Sequence, residues 1–484
     1  MLIPTFSMKV SRRIEVFEHF EQLSYSKMFP HWLLVCCVVL LSRPVHPQGA
    51  QQCPPQPTIT PCSCTVKKNG LDILCEFTEQ QHIQKAMNTL RSKPMIIFYL
   101  KLRHNNLAKL PSYIFLSLDI RHLTVHNSSL AVIEDSSLSS IGNKLTQLDV
   151  SQNNLATIPT SSFTHLNHLL ILNMNHNKVT AIHNRAFLGL DTLEILTLYE
   201  NRISVIDGEA FKGLEKKLKR LNLGGNELTA VPQKALALLE NLKKLEMQEN
   251  RVTSISEGDF AGNSINLLKL YYYYVITNKY NKLSITFFQT ENLQYLRLGD
   301  NRLHQIPSEA LRPLHRLRHL DLRSNNITYI SEDAFTGYGD SITFLNLQKN
   351  MVHQLPTMGF DNLNSLETLN LQNNKLQHIP EEIMEPILDT LRVVDIMDNP
   401  LICDCDLAWY EAWLSGLKDR DDEMMQKKRT ICTMLSEHRE YSVAKMPLDK
   451  MSCKRKPGVR TSAATNAGPI LVTNLLTLAV IRYL

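Results

Sequence analysis

Apolar residues recur along this chain in one short pattern that runs from Leu100 to Leu401. The pattern has the form L-x-L-x-x-N-x-L. Two leucines or similar residues are separated by one residue, an asparagine follows three positions after the second, and a further apolar residue comes two positions after the asparagine. Successive copies are nearly always about 24 residues apart, which is typical of structural repeats. This periodicity predicts one elongated repeat domain rather than several separate domains. The asparagines of the pattern are Asn105, Asn153, Asn177, Asn201, Asn226, Asn250, Asn301, Asn325, Asn350, Asn374 and Asn399.

The spacing inside the pattern predicts stacked parallel strands. Each L-x-L forms one short strand, with its leucines turned inward and the residue between them turned outward. The asparagine amide offers both an acceptor and two donors to the backbone groups that become free where the chain leaves the strand. Stacked copies therefore predict a buried amide ladder, which freely hydrated Asn201, Asn226 and Asn325 would contradict. Ser128 replaces asparagine in the second copy, and its smaller hydroxyl should make part of the same bonds.

Two further sets of residues predict the side opposite the strands. Ile158-Pro159, Val231-Pro232, Ile306-Pro307 and Ile379-Pro380 follow strands, and a recurring phenylalanine should fill the convex side. We therefore predict an α/β leucine-rich repeat solenoid of about 13 repeats, with a curved parallel sheet on its concave face and an irregular or 3-10 convex face. The recurring phenylalanines are Phe163, Phe187, Phe211, Phe260, Phe335 and Phe360.

The regular spacing breaks between Asn250 and Asn301. Leu268, Leu270, Asn281 and Leu283 fit the pattern if residues near Tyr272 to Lys279 are looped out, and the next repeat is then short, at about 20 residues. The tyrosines at 271–274 would form a protruding contact in a functional interpretation. We prefer an insertion or a splice variant as the explanation.

Composition and charge restrict the function only weakly. The 484 residues are 43% hydrophobic and 20% charged, with a net charge of +5. This small excess favours neither nucleic-acid binding nor strong attraction to a membrane surface.

The N-terminal region predicts export. An apolar run from Trp32 to Leu41 has the length of a signal-peptide core, and Gly49 and Ala50 offer a cleavage point. Met28 would be a natural initiator for such a signal, and the alternative is a signal anchor. Cys36 and Cys37 would leave with the signal peptide.

The other eight of the 10 cysteines form two groups of four that flank the repeats. A solenoid must cover its two open ends, and disulfide-linked caps do so in an oxidising compartment. A pair of zinc sites is the alternative, but the C-x-C pairs differ from the usual C-x₂-C spacing. The two groups are Cys53, Cys62, Cys64 and Cys75, then Cys403, Cys405, Cys432 and Cys453.

The cysteine groups resemble the caps of extracellular leucine-rich repeat proteins of the Slit, Nogo-receptor, connectin and chaoptin kind. At the C-terminal end, Asn399-Pro400-Leu401 precedes Cys403-x-Cys405, and Trp409 and Trp413-Leu414 follow. The resemblance spans nearly everything from Cys53 to Cys453. It implies the disulfide pairs Cys53–Cys64, Cys62–Cys75, Cys403–Cys432 and Cys405–Cys453. Independently of it, Leu407 to Leu417 reads as a short helix whose two tryptophans, one turn apart, cover the last repeat.

The N-terminal cap has a narrower likeness. Cys62-Ser63-Cys64, Leu71 to Cys75 and an expected helix over Glu79 to Leu90 are similar to arthropod proteins named as a non-catalytic subunit of a shrimp luciferase. The likeness covers about the first fifth of the mature chain and points to an arthropod source more than to light emission.

The C-terminal region predicts a lipid anchor. Basic residues after Cys453 lead to a small-residue stretch and a terminal apolar tail, which are the parts of an anchor-attachment signal. Ser462 is the preferred attachment residue and Asn466 the second; plain secretion and a transmembrane tail are the alternatives. The predicted organisation is an extension and signal peptide in 1–50, a cap in 51–95, repeats in 96–401, a cap in 402–454, and a basic linker with the anchor signal in 455–484.

No catalytic motif occurs: G-x-S-x-G, H-E-x-x-H, a phosphate-binding glycine loop and an EF-hand are all missing from the sequence. We expect no cofactor and no metal, because His165, His168, His176 and His183 should fall on different faces. A scaffold whose outward residues change from repeat to repeat is suited to binding rather than to catalysis.

The outward strand positions define the predicted binding face. Tyrosine and arginine are enriched among residues that anchor protein interfaces, so we expect the contacts to centre on Tyr199, Tyr295, Arg297 and Arg323. Glu200, Glu246 and Asp321 complete the predicted contact set, and Asp149, Asn173 and Gln348 lie on the same face.

Two N-x-S/T sequons, at Asn127 and Asn326, predict surface glycosylation. A glycan on Asn127 would shield the N-terminal part of the face, so binding should favour the central and later repeats.

The leading functional hypothesis is an extracellular recognition or adhesion protein at the cell surface or secreted. Its partner would be another protein or a second copy of the chain, with the lipid anchor as its membrane attachment and no nucleic acid bound. The alternatives are a non-catalytic subunit of a secreted enzyme complex and a soluble regulator that sequesters a ligand.

Overall fold

The L-x-L segments assemble into one long sheet. The structure, a computed structural model, describes residues 52–92, 94–256, 292–416, 429–451 and 453. Its main sheet has 14 strands; the first two form an antiparallel hairpin, and every later neighbour pairs in parallel. The strands are Ser63–Lys67, Gly70–Glu76, Ile96–Arg103, Asp119–His126, Gln147–Asp149, Ile171–Asn173, Ile195–Thr197, Arg220–Asn222, Lys244–Glu246, Tyr295–Arg297, His319–Asp321, Phe344–Asn346, Thr368–Asn370 and Val393–Asp395.

The register aligns equivalent leucines. Leu196 stands opposite Leu172 on one side and Leu221 on the other, and all three side chains are buried. The strands stay short because the residue before each ladder asparagine takes a left-handed backbone conformation, with φ of 50° at Glu200 and 57° at Glu249. This conformation turns the chain out of the sheet. The predicted leucine-rich repeat solenoid is confirmed.

The asparagines form the predicted ladder between repeats. Asn226 Nδ2 donates to the carbonyl of Leu198, in the preceding repeat, at 3.0 Å, while the Ile203 amide donates to Asn226 Oδ1 at 3.0 Å. Asn201, Asn226 and Asn325 are exposed by only 7%, 6% and 5%. Each asparagine therefore joins its own strand exit to the repeat before it.

Ser128 takes the place of an asparagine in this ladder. Its Oγ donates to the carbonyl of Leu102 at 3.3 Å and accepts from the Asn105 amide at 3.2 Å. The hydroxyl thus makes part of the bonds of an asparagine, as expected from its size.

The described strands on either side of the irregular stretch after Asn250 are neighbours in the sheet. Lys244–Glu246 pairs directly with Tyr295–Arg297, and Asn301 Nδ2 donates to the carbonyl of Met247 at 3.0 Å. Leu268 and Leu270, where the sequence predicts a further copy of the pattern, lie outside the described residues. The sheet, without its hairpin, contains 12 repeat strands among the described residues, because two of its 14 strands belong to the hairpin.

The side opposite the sheet consists of loops and short helical turns. The helices Thr160–Phe163, Gln233–Leu236, Ser308–Leu311 and Glu381–Leu388 each begin directly after one of the four prolines noted above. Proline suits this place because its φ is already near the helical value and it has no N–H to satisfy. A 3-10 turn spans Gly339–Ser341, and two small parallel sheets pair Lys109–Leu110 with Val132–Ile133 and Ala181–Ile182 with Val205–Ile206.

The predicted phenylalanines fill the space between the sheet and these loops. Phe163, Phe187, Phe211, Phe335 and Phe360 are fully buried. Phe187 and Phe211, which belong to neighbouring repeats, stack with ring centroids 6.1 Å apart.

The N-terminal cap covers the first strand. It contains the helices Gln56–Ile59 and Gln80–Leu90, the second of which begins one residue later than predicted. Disulfides join Cys53 to Cys64 and Cys62 to Cys75.

The C-terminal cap covers the last strand. It contains 3-10 turns at Cys405–Leu407 and Val443–Lys445, the helix Ala408–Gly416, and a sheet of Leu401–Ile402, Ile431–Met434 and Arg439–Ser442. Disulfides join Cys403 to Cys432 and Cys405 to Cys453, so all four pairs are those implied by the cap resemblance.

The tryptophan prediction holds with one addition. Trp409 Nε1 donates to the carbonyl of Ile379 at 2.7 Å, and Trp413 packs against the core while remaining partly exposed. The sequence reading missed Tyr410, which is fully buried and whose hydroxyl donates to the carbonyl of Val394 at 3.1 Å.

Several predictions concern residues outside the described part of the chain: the signal peptide, Phe260, the looped-out segment with its tyrosine run, and the anchor residues Ser462 and Asn466. Among the described helices, none combines the length and apolarity that crossing a bilayer requires.

Candidate functional site: the exposed face of the parallel sheet

The exposed face of the 14-stranded sheet, called the sheet face below, is the surface predicted to be concave. Because side chains alternate along a strand, the residues before, between and after the paired leucines all point to this face. In the repeat of Leu296 and Leu298, these residues are Tyr295, Arg297 and Gly299. The buried leucines keep the spacing constant, while the exposed residues differ from repeat to repeat.

One buried carboxylate organises the centre of the sheet face. Glu246 is only 2% exposed, and its oxygens lie 2.9 Å from Arg220 Nε, 3.4 Å from Lys244 Nζ and 3.4 Å from Arg297 Nη1. Three cations therefore surround one anion, which holds them in place without neutralising all of their charge.

A second ion-pair group lies one repeat further along. Arg323 Nε lies 3.4 Å from Asp300 Oδ2, and the Arg323 amide donates to Asp321 Oδ1 at 3.2 Å. Burial raises the pKa of the Asp321 carboxyl, although this amide bond and the nearby Arg323 charge oppose the rise. Arg323 fits closely against Gly299, where an added Cβ would stand 2.8 Å from Arg323 Cγ.

An aromatic row runs beside these ion pairs. The ring of His319 lies 5.6 Å from that of Tyr295 and 4.0 Å from that of Phe344, and the second pair is nearly parallel at 3°. Burial, with Arg297 and Lys244 adding to its effect, lowers the pKa of His319 to about 4. The row therefore carries a neutral imidazole near neutral pH.

A separate polar row lies two repeats closer to the N-terminus than the repeat of Glu246. The Tyr199 hydroxyl donates to Glu249 Oε2 at 2.7 Å, and His176 Nδ1 lies 2.6 Å from Glu200 Oε2. The bond to Glu249 is the main cause that raises the pKa of Tyr199, so this phenol stays protonated.

The N-terminal repeats form a shallow polar depression of about 490 Å³ on the same face. His126 lies in this depression, and its Nδ1 is hydrogen-bonded to Ser151 Oγ at 3.0 Å. Burial lowers the pKa of His126, and the charge of Asp149 opposes this effect. Arg103, His104 and His176 also line the depression.

The predicted contact residues fall into two groups of exposed or half-buried residues and two buried supports. Tyr295, Arg297 and Arg323 lie close together, while Tyr199 and Glu200 form the second group. Glu246 and Asp321 are buried, so each acts on the face through its cations rather than by direct contact.

The sequence reading missed Arg220, Lys244, His319 and Phe344 as members of the face. All four stand immediately before the first leucine of a copy. Side-chain alternation already implied that this position is exposed, so it could have been read from the pattern.

The two sequons lie at the surface, and two of the histidines form pairs with carboxylates. Asn127 and Asn326 are both exposed, and Asn127 Nδ2 lies 3.0 Å from His104 Nδ1. Of the four histidines considered for a metal, His176 pairs with Glu200 and His183 with Asp207.

In the part of the chain that the structure describes, one group of side chains has an arrangement that could hold a metal ion. His378, Asp404 and Asp406 offer atoms within 4.8 Å of one another. His378 is hydrogen-bonded to Asp404, and this contact joins the last repeats to the C-terminal cap.

Comparison with known proteins agrees with this architecture. A family model described as leucine rich repeat matches residues 119–179, 143–201, 171–216, 216–272 and 291–352, and a second leucine rich repeat model matches 365–385.

Three solved structures are similar in fold. The first is an octameric complex of Latrophilin 3, Unc5D and FLRT2, at 21% identity and a TM-score of 0.55, with 72% of this chain and 95% of that chain covered. The second is a TLR13–ssRNA13 complex, at 23% identity and a TM-score of 0.53, with coverage of 71% and 48%. The third is the Toll–Spatzle complex of Drosophila, at 20% identity and a TM-score of 0.51, with coverage of 73% and 52%. This chain spans about half the length of the last two.

The repeat matches, the parallel sheet with its asparagine ladder and the disulfides at both ends lead to one conclusion: this protein is a leucine-rich repeat solenoid.

Proposed function

We propose that this chain is an extracellular recognition protein that binds a protein partner through the central and later repeats of its sheet face. The observation that carries the proposal is the arrangement around Glu246. A buried carboxylate holds Arg220, Lys244 and Arg297 in place, so these side chains lose less conformational freedom when a partner binds.

The residue types on this face support a protein partner. Tyr295 is 43% exposed as a whole residue, and the side chain of Arg323 is also 43% exposed. Tyrosines and arginines of this kind contribute much of the binding energy in many interfaces. The four disulfides support an oxidising compartment, which favours an extracellular partner.

The proposal is tested by capturing proteins from intact cell surfaces with the full chain and repeating the capture with Y295A/R297A/R323A. Loss of a specific captured protein supports the sheet face as the binding surface. R185A/K212A is the control, because Arg185 and Lys212 are exposed on the loop side of the repeats, beside Glu209. Equal capture by the wild type and the sheet-face variant would contradict the proposal.

The proposal also includes two covalent modifications, glycosylation and lipid attachment. We infer glycosylation at Asn127 and Asn326 and lipid attachment at Ser462, with Asn466 as the second choice. N-glycosidase treatment should increase gel mobility, and N127Q and N326Q should each remove part of that shift. A phosphatidylinositol-specific phospholipase should release the anchored protein from intact cells, whereas a freely secreted regulator or enzyme subunit should already be in the medium.

A further inference from the structure

We propose that the sheet face binds an acidic segment of a protein partner, with at least one hydrophobic side chain beside its carboxylates, at one defined place. The place, called the central patch, comprises residues 243–248, 294–299, 318–323 and 343–348. This inference rests on the proposed function and specifies the chemistry of the partner.

The charges of the central patch favour an anion. It contains five cationic side chains and two carboxylates, Glu246 and Asp321, both of which are buried. The charge offered to a partner is therefore positive. The cations are Lys243, Lys244, Arg297, Arg318 and Arg323.

Two of these cations are free to engage a partner. Lys243 and Arg318 are exposed, and neither takes part in an ion pair with any described residue. Arg323 is less available, because Asp300, just beyond the patch, lies 3.4 Å from its Nε. Lys243 and Arg318 directly precede the strands that begin at Lys244 and His319, so they lie at the edge of the patch where its strands begin.

The aromatic row adds to the preference for carboxylates. The ring faces of His319 and Phe344 cover each other at 4.0 Å, so these rings offer mainly their edges to a ligand. Ring edges carry partial positive charge, which favours electronegative groups. Tyr295, 43% exposed, provides apolar area for a hydrophobic side chain of the same segment.

These features favour a protein segment over a sulfated polysaccharide. A saccharide stacks on an open aromatic face, whereas His319 and Phe344 each have one ring face covered by the other, and the Tyr295 ring lies 5.6 Å from that of His319. A sulfated chain also has no large apolar group to cover Tyr295. A peptide with carboxylates beside a leucine or phenylalanine satisfies both the cations and the apolar surface.

Selection from a random peptide library displayed on phage tests the chemistry directly. Peptides of about ten residues suffice, because an extended peptide of that length exceeds the width of four strands. The target is the full chain, and binders are eluted and sequenced. We expect enrichment in Asp and Glu next to Leu, Phe or Tyr, and at least about tenfold weaker binding of the selected peptides to K243E/R318E.

The matched control is R202E/R302E, which makes the same change in net charge at two exposed arginines outside the patch. It should bind the peptides like the wild type, and equal unfolding temperatures should show that both variants fold. Glu-to-Gln replacement in the peptides should weaken binding to the wild type.

Peptides without acidic enrichment, or unchanged binding to K243E/R318E, would overturn the inference. Retention of heparin through the patch, with no acidic peptide selected, would also overturn the inference. The same holds if K243E/R318E abolishes self-association of the chain rather than peptide binding. A cell-surface partner lost in Y295A/R297A/R323A but unaffected by K243E/R318E would leave the proposed function standing and remove only this inference.

Discussion

The Tyr199 hydroxyl donates a 2.7 Å hydrogen bond to the Glu249 carboxylate two repeats along the sheet. The intervening repeat has glycine at both equivalent positions, Gly224 and Gly225. Gly225 has a φ of 63°, and an added Cβ would stand 2.9 Å from Glu200 Cγ. A contact between exposed residues thus depends on the absence of side chains in the repeat between them.

The fit of Gly225 against Glu200 should contribute to stability. G225A should lower the free energy of unfolding by about 1–2 kcal/mol, because alanine is strained at this φ and crowds Glu200. Y199F should cost less than about 1 kcal/mol, because the bond that it removes is exposed. Urea unfolding measures both, with G208A as the control, since a Cβ there meets nothing closer than 3.3 Å. An equal effect of G208A and G225A would contradict the argument.

The asparagine ladder should be stabilising. N226A removes the donor to Leu198 and Leu223 and leaves the Ile203 amide without its acceptor, at a cost of about 2–4 kcal/mol. N226S should cost less, since Ser128 shows that a hydroxyl makes part of these bonds. N364A, which removes an exposed bond to Asp340, serves as the control in chemical denaturation and should change stability little. A neutral N226A would rule out the stabilising ladder.

Removal of the Glu246 carboxylate should destabilise the fold. E246Q leaves three cations without their anion, but these are 27–41% exposed and can move towards water, so the expected cost is about 1–2 kcal/mol rather than that of a fully buried pair. E227Q breaks an exposed pair with Arg251 and should cost almost nothing. Thermal unfolding of the two variants should rank them in this order, and the reverse ranking would contradict the role of Glu246.

Stability should fall in mild acid because of His319. The folded protein holds the pKa of His319 at about 4, below its ordinary value of 6.5, so the unfolded chain binds more protons between these two values. The contribution of His319 is therefore present above pH 6.5 and is lost as the pH falls towards 4. H319F should flatten the dependence of the unfolding temperature on pH in this window. H353Q, which replaces an exposed histidine, is the control variant, and a curve for H319F like that of the wild type would contradict the assignment.

The two tryptophans of the C-terminal cap should differ. W409F leaves the buried carbonyl of Ile379 without its donor and should cost about 1–3 kcal/mol. W413F keeps the stacking with Tyr410 and loses no hydrogen bond of the indole found among the described residues, so its effect should be smaller. Limited proteolysis of the cap and thermal unfolding would both reveal the difference. Equal sensitivity of the two variants would show that packing, rather than the hydrogen bond, dominates.

Local periodicity was sufficient for the repeat fold. The alternation around residues such as Leu196 and Leu198 assigns the buried face, and the asparagine three places later assigns the strand exit, because both depend on backbone geometry within one repeat. The cap helix over Gln80–Leu90 and the part played by Trp409 were predictable for the same reason.

Contacts between repeats were decided only by the tertiary structure. The pairing of Lys244–Glu246 with Tyr295–Arg297 brings Arg297 to Glu246 across 51 positions of sequence. The stacking of His319 on Phe344 and the reach of Tyr199 to Glu249 arise in the same way. A repeat pattern specifies what each unit buries, but which exposed side chains meet depends on which units become neighbours, and that is settled only when the strands pair.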